Sequence, residues 1–412
     1  MAVALEFIDF LVPISVIRKK YPGGWEQCLK DYGGYGAAWH DEYLFRYGAM
    51  SGMAMEAIVN EWKKMGFKPT GKKNGQTVWK DCCVAESFPC AGATLPCDWL
   101  VVDGETRSAY LKGTEPGIIY GPWPYKLCMI GAMIGDIAGS GYEHKNIKHK
   151  PDVLMRDRDH FTDDTVLTYA VAMGILNGMK KIDRASWMAD TAMQDIVEKE
   201  IALSVKQFAR KYPGAGYGHK FKEWVKSNSL KPYGSYGNGS AMRVSFAGWY
   251  ANSLEEAQLL AKLSAQITHN HEDGIKGAVA VAGCIYLLRT GRSKDDVREY
   301  VKQYYNIGFT LDEIRDFYAF DSSCEGSVPQ AIAAFFENDN FEDVIKAAIS
   351  IGGDSDTIAA IAGSIAEPLY PVPGKLTNGM MLKLDSALEF ALKTVIESLP
   401  ADCRVRLYGT EA

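Results

Sequence analysis

The chain has 412 residues, 47% of them hydrophobic, and a formal net charge of -6 with acids and bases mixed along its length. That composition can bury a large core but lacks the basic field of a general nucleic-acid binder, and its longest apolar run, residues 277–288, is too short to span a bilayer. Nine irregularly spaced cysteines favour free thiols, and residues 1–10 lack the basic start and cleavage site of a secretory signal, so a cytoplasmic location is expected.

Residues 1–113 mix short helical and strand patterns. Residues 14–32 and 53–65 read as helices, the first interrupted at Pro22-Gly23-Gly24. Residues 77–86 and 98–112 alternate and carry β-branched or aromatic side chains, the second with a hairpin turn at Asp103-Gly104. A small α+β domain is expected here. Its cysteines Cys82, Cys83, Cys90 and Cys97 lack the paired spacing of a zinc site. Residues 66–73 imitate a phosphate-binding loop, but Lys73 stands where Ser or Thr is needed.

Residues 114–124 are dense in Gly and Pro and read as a linker. After them almost everything reads as helix, with apolar residues at helical spacing over 183–209, 253–266, 274–288, 341–351 and 380–398. The expected fold class is mainly α: a helical domain over 125–412 preceded by the small α+β domain.

Chemistry concentrates at a few points of that second region. Gly131, Gly135 and Gly139 recur every four residues and share one helix face. Glycine there costs roughly 1 kcal/mol each against alanine, a cost that a closely crossing neighbour would explain. Asp136 and Glu143 are seven apart and project to nearly the same side if the helix persists; the plain alternative is a packed helix with solvated acids.

Thr162-Asp163-Asp164-Thr165 and Gly352-Gly353-Asp354-Ser355-Asp356-Thr357 each open an apolar, helical run. One helix cap needs one oxygen-bearing side chain, and each segment supplies several. If the two starts meet, their carboxylates share a small volume and need cations or protons; the all-oxygen donor set suits Mg²⁺ or Mn²⁺ over Zn²⁺. Between them, Gly214, Gly216 and Gly218 form a loop able to wrap N–H groups around phosphate, or a simple connector. Ser235, Tyr236, Gly237 and Asn238 lead into another helical start, where anions bind well. His269 ends a helical run, a place where histidine is usually a cap or a packed core group.

In this order the segments GDIAGSGYE, FTDDT, YGSYGNGSAMR, SAQITH and GGDSDTIAAIAG resemble the ADP-ribosylglycohydrolase family, from about Leu127 to the C-terminal helices. The resemblance implies a compact all-helical domain with two Mg²⁺ (or Mn²⁺) ions in a cleft, and cleavage of the glycosidic bond between ADP-ribose and an acceptor side chain. It implies metal ligands at Thr162, Asp163, Asp164, Asp354, Asp356 and Thr357, and Glu143 as a mobile gate and acid-base group, with Asp163 and Asp164 also in catalytic roles. Gly214, Gly216 and Gly218 match the diphosphate loop. Ser235, Tyr236, Gly237 and Asn238 match residues holding phosphate and the metal-side ribose, and His269 one near the scissile bond. The implied partner is an ADP-ribosylated protein or small molecule. Two other readings stay open: a binding protein that blocks an ADP-ribosyltransferase toxin through residues 1–113, and a hydrolase of phosphate esters using the same acids.

Overall fold

A computed structural model describes residues 127–403, together with the backbone of eight strands ahead of them. The chain divides into two compact units, Met1–Pro124 with Gly374–Leu382, and Tyr125–Pro373 with Lys383–Ala412.

In the first unit, β1 (Leu5–Pro13), β2 (Tyr35–Trp39), β3 (Glu42–Met50), β4 (Pro69–Lys73), β5 (Gln76–Trp79) and β6 (Cys82–Ser87) form an antiparallel sheet of order β2-β3-β1-β6-β5-β4. β7 (Leu100–Val102) and β8 (Ala109–Leu111) pair antiparallel with Val102 opposite Ala109, and the turn expected at Asp103-Gly104 lies outside the described residues. The helices expected over 14–32 and 53–65, and the linker over 114–124, lie outside the described residues.

Among its described residues the second unit is helical: α1 (Gly131–Ser140), α2 (Asp163–Met179), α3 (Thr191–Lys211), α4 (His219–Lys226), α5 (Ser245–Tyr250), α6 (Leu254–Gln266), α7 (Glu272–Arg289), α8 (Lys294–Val301), α9 (Leu311–Ile314), α10 (Cys324–Phe336), α11 (Phe341–Ser350), α12 (Ser355–Ala366) and, after α13 (Gly374–Met381) of the first unit, α14 (Ser386–Ser398). No helix is long and apolar enough to cross a membrane among the described residues. Two expected helices are shorter than their apolar pattern. Asp190 accepts from the Ala192 and Met193 N–H groups and starts α3 there, so 183–190 stays outside it. Asp385 caps α14 in the same way and splits the run expected over 380–398. In both, one aspartate satisfies free N–H groups and sets the helix start.

The glycine stripe of α1 is where α12 crosses. A Cβ on Gly135 would stand 2.0 Å from the Ala359 carbonyl oxygen, and one on Gly139 would stand 2.5 Å from the Asp356 Cα. Only glycine lets the two backbones approach so closely, and that approach brings Asp136 of α1 beside the start of α12. α2 packs against α3 and touches α1 and α12. The starts of α2 and α12 therefore meet at one end of this packed core.

Candidate active site

Asp136 is buried in α1 and organises the start of α2. Its Oδ1 accepts from Thr162 Oγ1 at 2.6 Å. Its Oδ2 accepts from the Thr162 N–H at 2.9 Å, the Thr165 N–H at 3.0 Å and Thr165 Oγ1 at 2.5 Å. The acid is fully enclosed, so the solvated alternative does not hold. Burial still pushes its pKa up, against those four hydrogen bonds. Sequence reading noticed Asp136 but did not place it in the site. Its signal was a carboxylate on the helix that the glycine stripe marks for a tight crossing.

The segments at 162–165 and 352–357 converge. Thr357 Oγ1 donates to Asp164 Oδ2 at 3.1 Å across 193 residues of sequence. Asp164 Oδ1 is buried with no hydrogen-bond partner. Gly352 and Gly353 have φ of +69° and +75°, a conformation glycine adopts without strain, and they turn the chain so that Asp354 and Asp356 face this point. Asp354 Oδ2 accepts from Asn238 Nδ2 at 2.8 Å, and the same nitrogen donates to Ser327 Oγ at 2.9 Å. Asn238 thus steadies Asp354, with its amide nitrogen already committed.

Carboxylate oxygens gather in two groups, each within 4.8 Å: Asp136 with Asp164 and Asp356, and Glu143 with Asp354 and Asp356. Asp356 belongs to both. Burial raises the pKa of Asp164 and Asp356 well above the ordinary range, and neighbouring acids raise them further. Asp354 is raised by burial as well. Burial pushes Asp163 up to about 8, with Asp136 adding to the rise. Asp163 stands outside both groups, and a Cβ on Gly216 would lie 3.0 Å from its Oδ1. The donor chemistry fits hard divalent cations: clustered carboxylates, threonine hydroxyls and one orphaned buried oxygen.

α1 ends at Ser140, so Glu143 comes from the following turn and not from a continuing helix. That turn is tied down. Asn146 Nδ2 donates to the carbonyls of Tyr142 at 2.8 Å, Glu143 at 2.9 Å and Gly353 at 3.0 Å, while its Oδ1 accepts from the Gly353 N–H at 2.7 Å. The Arg156 guanidinium lies 3.6 Å from the centre of the Tyr142 ring. Burial raises the pKa of Glu143, opposed by His144.

Glu143, Thr162, Asp163, Asp164, Asp354, Asp356 and Thr357 line a cleft of about 690 Å³. Gly214, Gly216 and Gly218 stand at its wall, as do Ser235, Gly237 and His269. Tyr236 does not line it; its side chain is 59% exposed and meets the His271 ring edge-on, centroids 5.7 Å apart.

A sequence model of the ADP-ribosylglycohydrolase family matches residues 125–367, more than half of the chain. The chain is 25% identical over 347 residues to the ADP-ribosylhydrolase ARH3 of Gallus gallus, covering 65% of this chain and 89% of that protein. It is 26% identical to ARH3 of Homo sapiens, covering 60% and 85%. It is 23% identical to the ADP-ribosylarginine hydrolase Tri1 of Pseudomonas putida (strain GB-1), covering 60% and 71%.

Proposed function

The chain belongs to the ADP-ribosylglycohydrolase family, and from that premise we propose that it hydrolyses the glycosidic bond between ADP-ribose and an acceptor group, reversing ADP-ribosylation. The observation that carries this reading is the meeting of the two helix starts, Thr357 Oγ1 on Asp164 Oδ2, with Asp164 Oδ1 left buried and unpartnered.

Thr162, Asp163, Asp164, Asp354, Asp356 and Thr357 would hold two divalent ions, Mg²⁺ or Mn²⁺. Bound there, such ions supply charge neutralisation, orientation of sugar hydroxyls and a more acidic water. The protein's own groups do the rest. Asp136 holds the α2 start in register through its four hydrogen bonds. Asn238 holds Asp354. The Gly214–Gly218 stretch and the α4 start behind it offer N–H groups and a positive helix end to a diphosphate. Glu143, whose carboxyl burial holds above the ordinary range, takes a proton from the attacking water as the sugar C1 bonds to that oxygen. The bond from C1 to the acceptor breaks through an oxocarbenium-like state; the acceptor leaves with its electron pair and takes a proton from solvent, and Glu143 returns its own proton to solvent. Residues 1–113 would serve as an accessory domain.

Asp356→Ala, which removes the carboxylate common to both acidic groups, should abolish turnover while the helical signal persists. Excess chelator should do the same to the wild type. Full activity in either case refutes the reading.

A further inference from the structure

Behind His269 stands a line of side chains that the mechanism above does not use. Arg243 is fully buried, and its Nη2 donates to the Ser264 carbonyl at 3.1 Å and to Thr268 Oγ1 at 2.8 Å. Thr268 is itself fully buried, and its Oγ1 lies 2.8 Å from His269 Nδ1. Arg243 Nε and Nη1 are buried without hydrogen-bond partners. Burying a guanidinium with two idle donors is costly, and a core filler would not require it.

The protons along this line can be assigned. A threonine hydroxyl has one hydrogen and two lone pairs, and a guanidinium can only donate. Arg243 therefore occupies a lone pair of Thr268 Oγ1. Among the described residues the Thr268 hydrogen has one acceptor in reach, His269 Nδ1. If Nδ1 carried the ring proton, that hydroxyl hydrogen would be buried and unpaired. Nδ1 therefore accepts, and the ring proton sits on Nε2. Burial, together with the nearby Arg243 charge, keeps the imidazole neutral, its pKa held well below the ordinary value. His269 lines the cleft, and a Cβ on Gly239 would stand 3.1 Å from Nε2, so the glycine keeps that nitrogen's approach clear.

We propose that Arg243 and Thr268 are positioning residues that fix His269 as a neutral Nε2–H donor, presented to an oxygen of the sugar nucleotide in the cleft. The ligand in this statement rests on the hydrolase reading; the ring proton's place does not. The relay explains why a histidine ending a helical run faces a ligand site with one fixed polarity. A ring free to change tautomer would offer an acceptor to the same oxygen part of the time.

Two measurements on the full chain test it. Two-bond ¹H–¹⁵N correlation of ¹⁵N-histidine protein reads each ring, with His269→Gln assigning the signal among the seven histidines. The expected pattern is a pyrrole-type Nε2 and a pyridine-type Nδ1. In Thr268→Val the Nδ1 resonance should move toward that of an unbonded pyridine nitrogen, and in Thr268→Ser it should stay near the wild-type position. A protonated Nδ1 in the wild type overturns the relay. Calorimetry with ADP-ribose and Mg²⁺ should show Thr268→Val weakened on the order of ten-fold, and Thr268→Ser near wild type. Wild-type affinity in Thr268→Val overturns the positioning role. A wild type with the expected ring that fails to bind ADP-ribose sinks the hydrolase reading and its ligand, and leaves the tautomer assignment standing.

Discussion

Replacing Asp164 by Asn should make the metal-free protein more stable and abolish its response to divalent cations. Oxygens of Asp136, Asp164 and Asp356 lie within 4.8 Å of one another. At that spacing each ionised pair repels by about 3.5 kcal/mol at an effective dielectric of 20. Asp164 takes part in two of the three pairs, about 7 kcal/mol if all were charged. The metal-free protein avoids that penalty by holding a proton. Neutralising a carboxyl at pH 7 costs about 4 kcal/mol, roughly three pKa units at 1.36 kcal/mol each. The smaller figure wins and sets the ceiling on the relief. Weakening the hydrogen bond that Asp164 Oδ2 accepts from Thr357 takes back about 1 kcal/mol. The net gain is about 3 kcal/mol, or about 6 °C in melting temperature for a domain of this size. Melts of both proteins in chelator and in Mn²⁺ measure both halves. An Asn variant that melts below wild type in chelator, or keeps the wild-type cation shift, refutes the electrostatic argument.

The remaining predictions concern pH and the Glu143 turn. The clustered acids have folded pKa values above their unfolded ones, and burial puts Asp163 at about 8. Their contribution to metal-free stability is therefore full below the unfolded value, near pH 4, and is lost as pH rises through the folded values toward about 8. Cations must displace those protons, so the Mn²⁺-induced rise in melting temperature should be larger at about pH 8 than at about pH 6. Equal shifts at both contradict the assignment. Asn146→Ala removes the four hydrogen bonds that tie the Glu143 turn to itself and to Gly353. Hydrogen exchange over residues 141–147 should quicken and turnover fall about ten-fold, with melting lowered by only a few degrees. Unchanged exchange would show that Asn146 does not hold the turn.

Much of the helical unit was legible because helical periodicity and glycine spacing are local signals. The stripe at 131, 135 and 139 announced a close crossing, and α12 supplies it. The two acid-rich segments announced a meeting through an excess of oxygen-bearing side chains over what one cap uses. Helix starts were less legible. Asp190 and Asp385 override an apolar pattern that runs past them, since a cap acts on backbone N–H groups and not on periodicity. Asp136 was seen but misplaced among open alternatives, because enclosure is a property of the crossing and not of α1. Asn146 left no trace in the pattern, and Thr268 stood in SAQITH with no role of its own. Their importance lies in hydrogen bonds between segments far apart in sequence or in proton direction, neither of which spacing encodes.

The most direct test of the central claim is to incubate the protein and Mg²⁺ with a panel of ADP-ribosylated peptides, proteins and nucleic acids, and to identify the released product by mass spectrometry. The account predicts intact ADP-ribose, together with an acceptor restored to its unmodified mass, for at least one linkage. Release of AMP or inorganic phosphate with ribose left on the acceptor would contradict it.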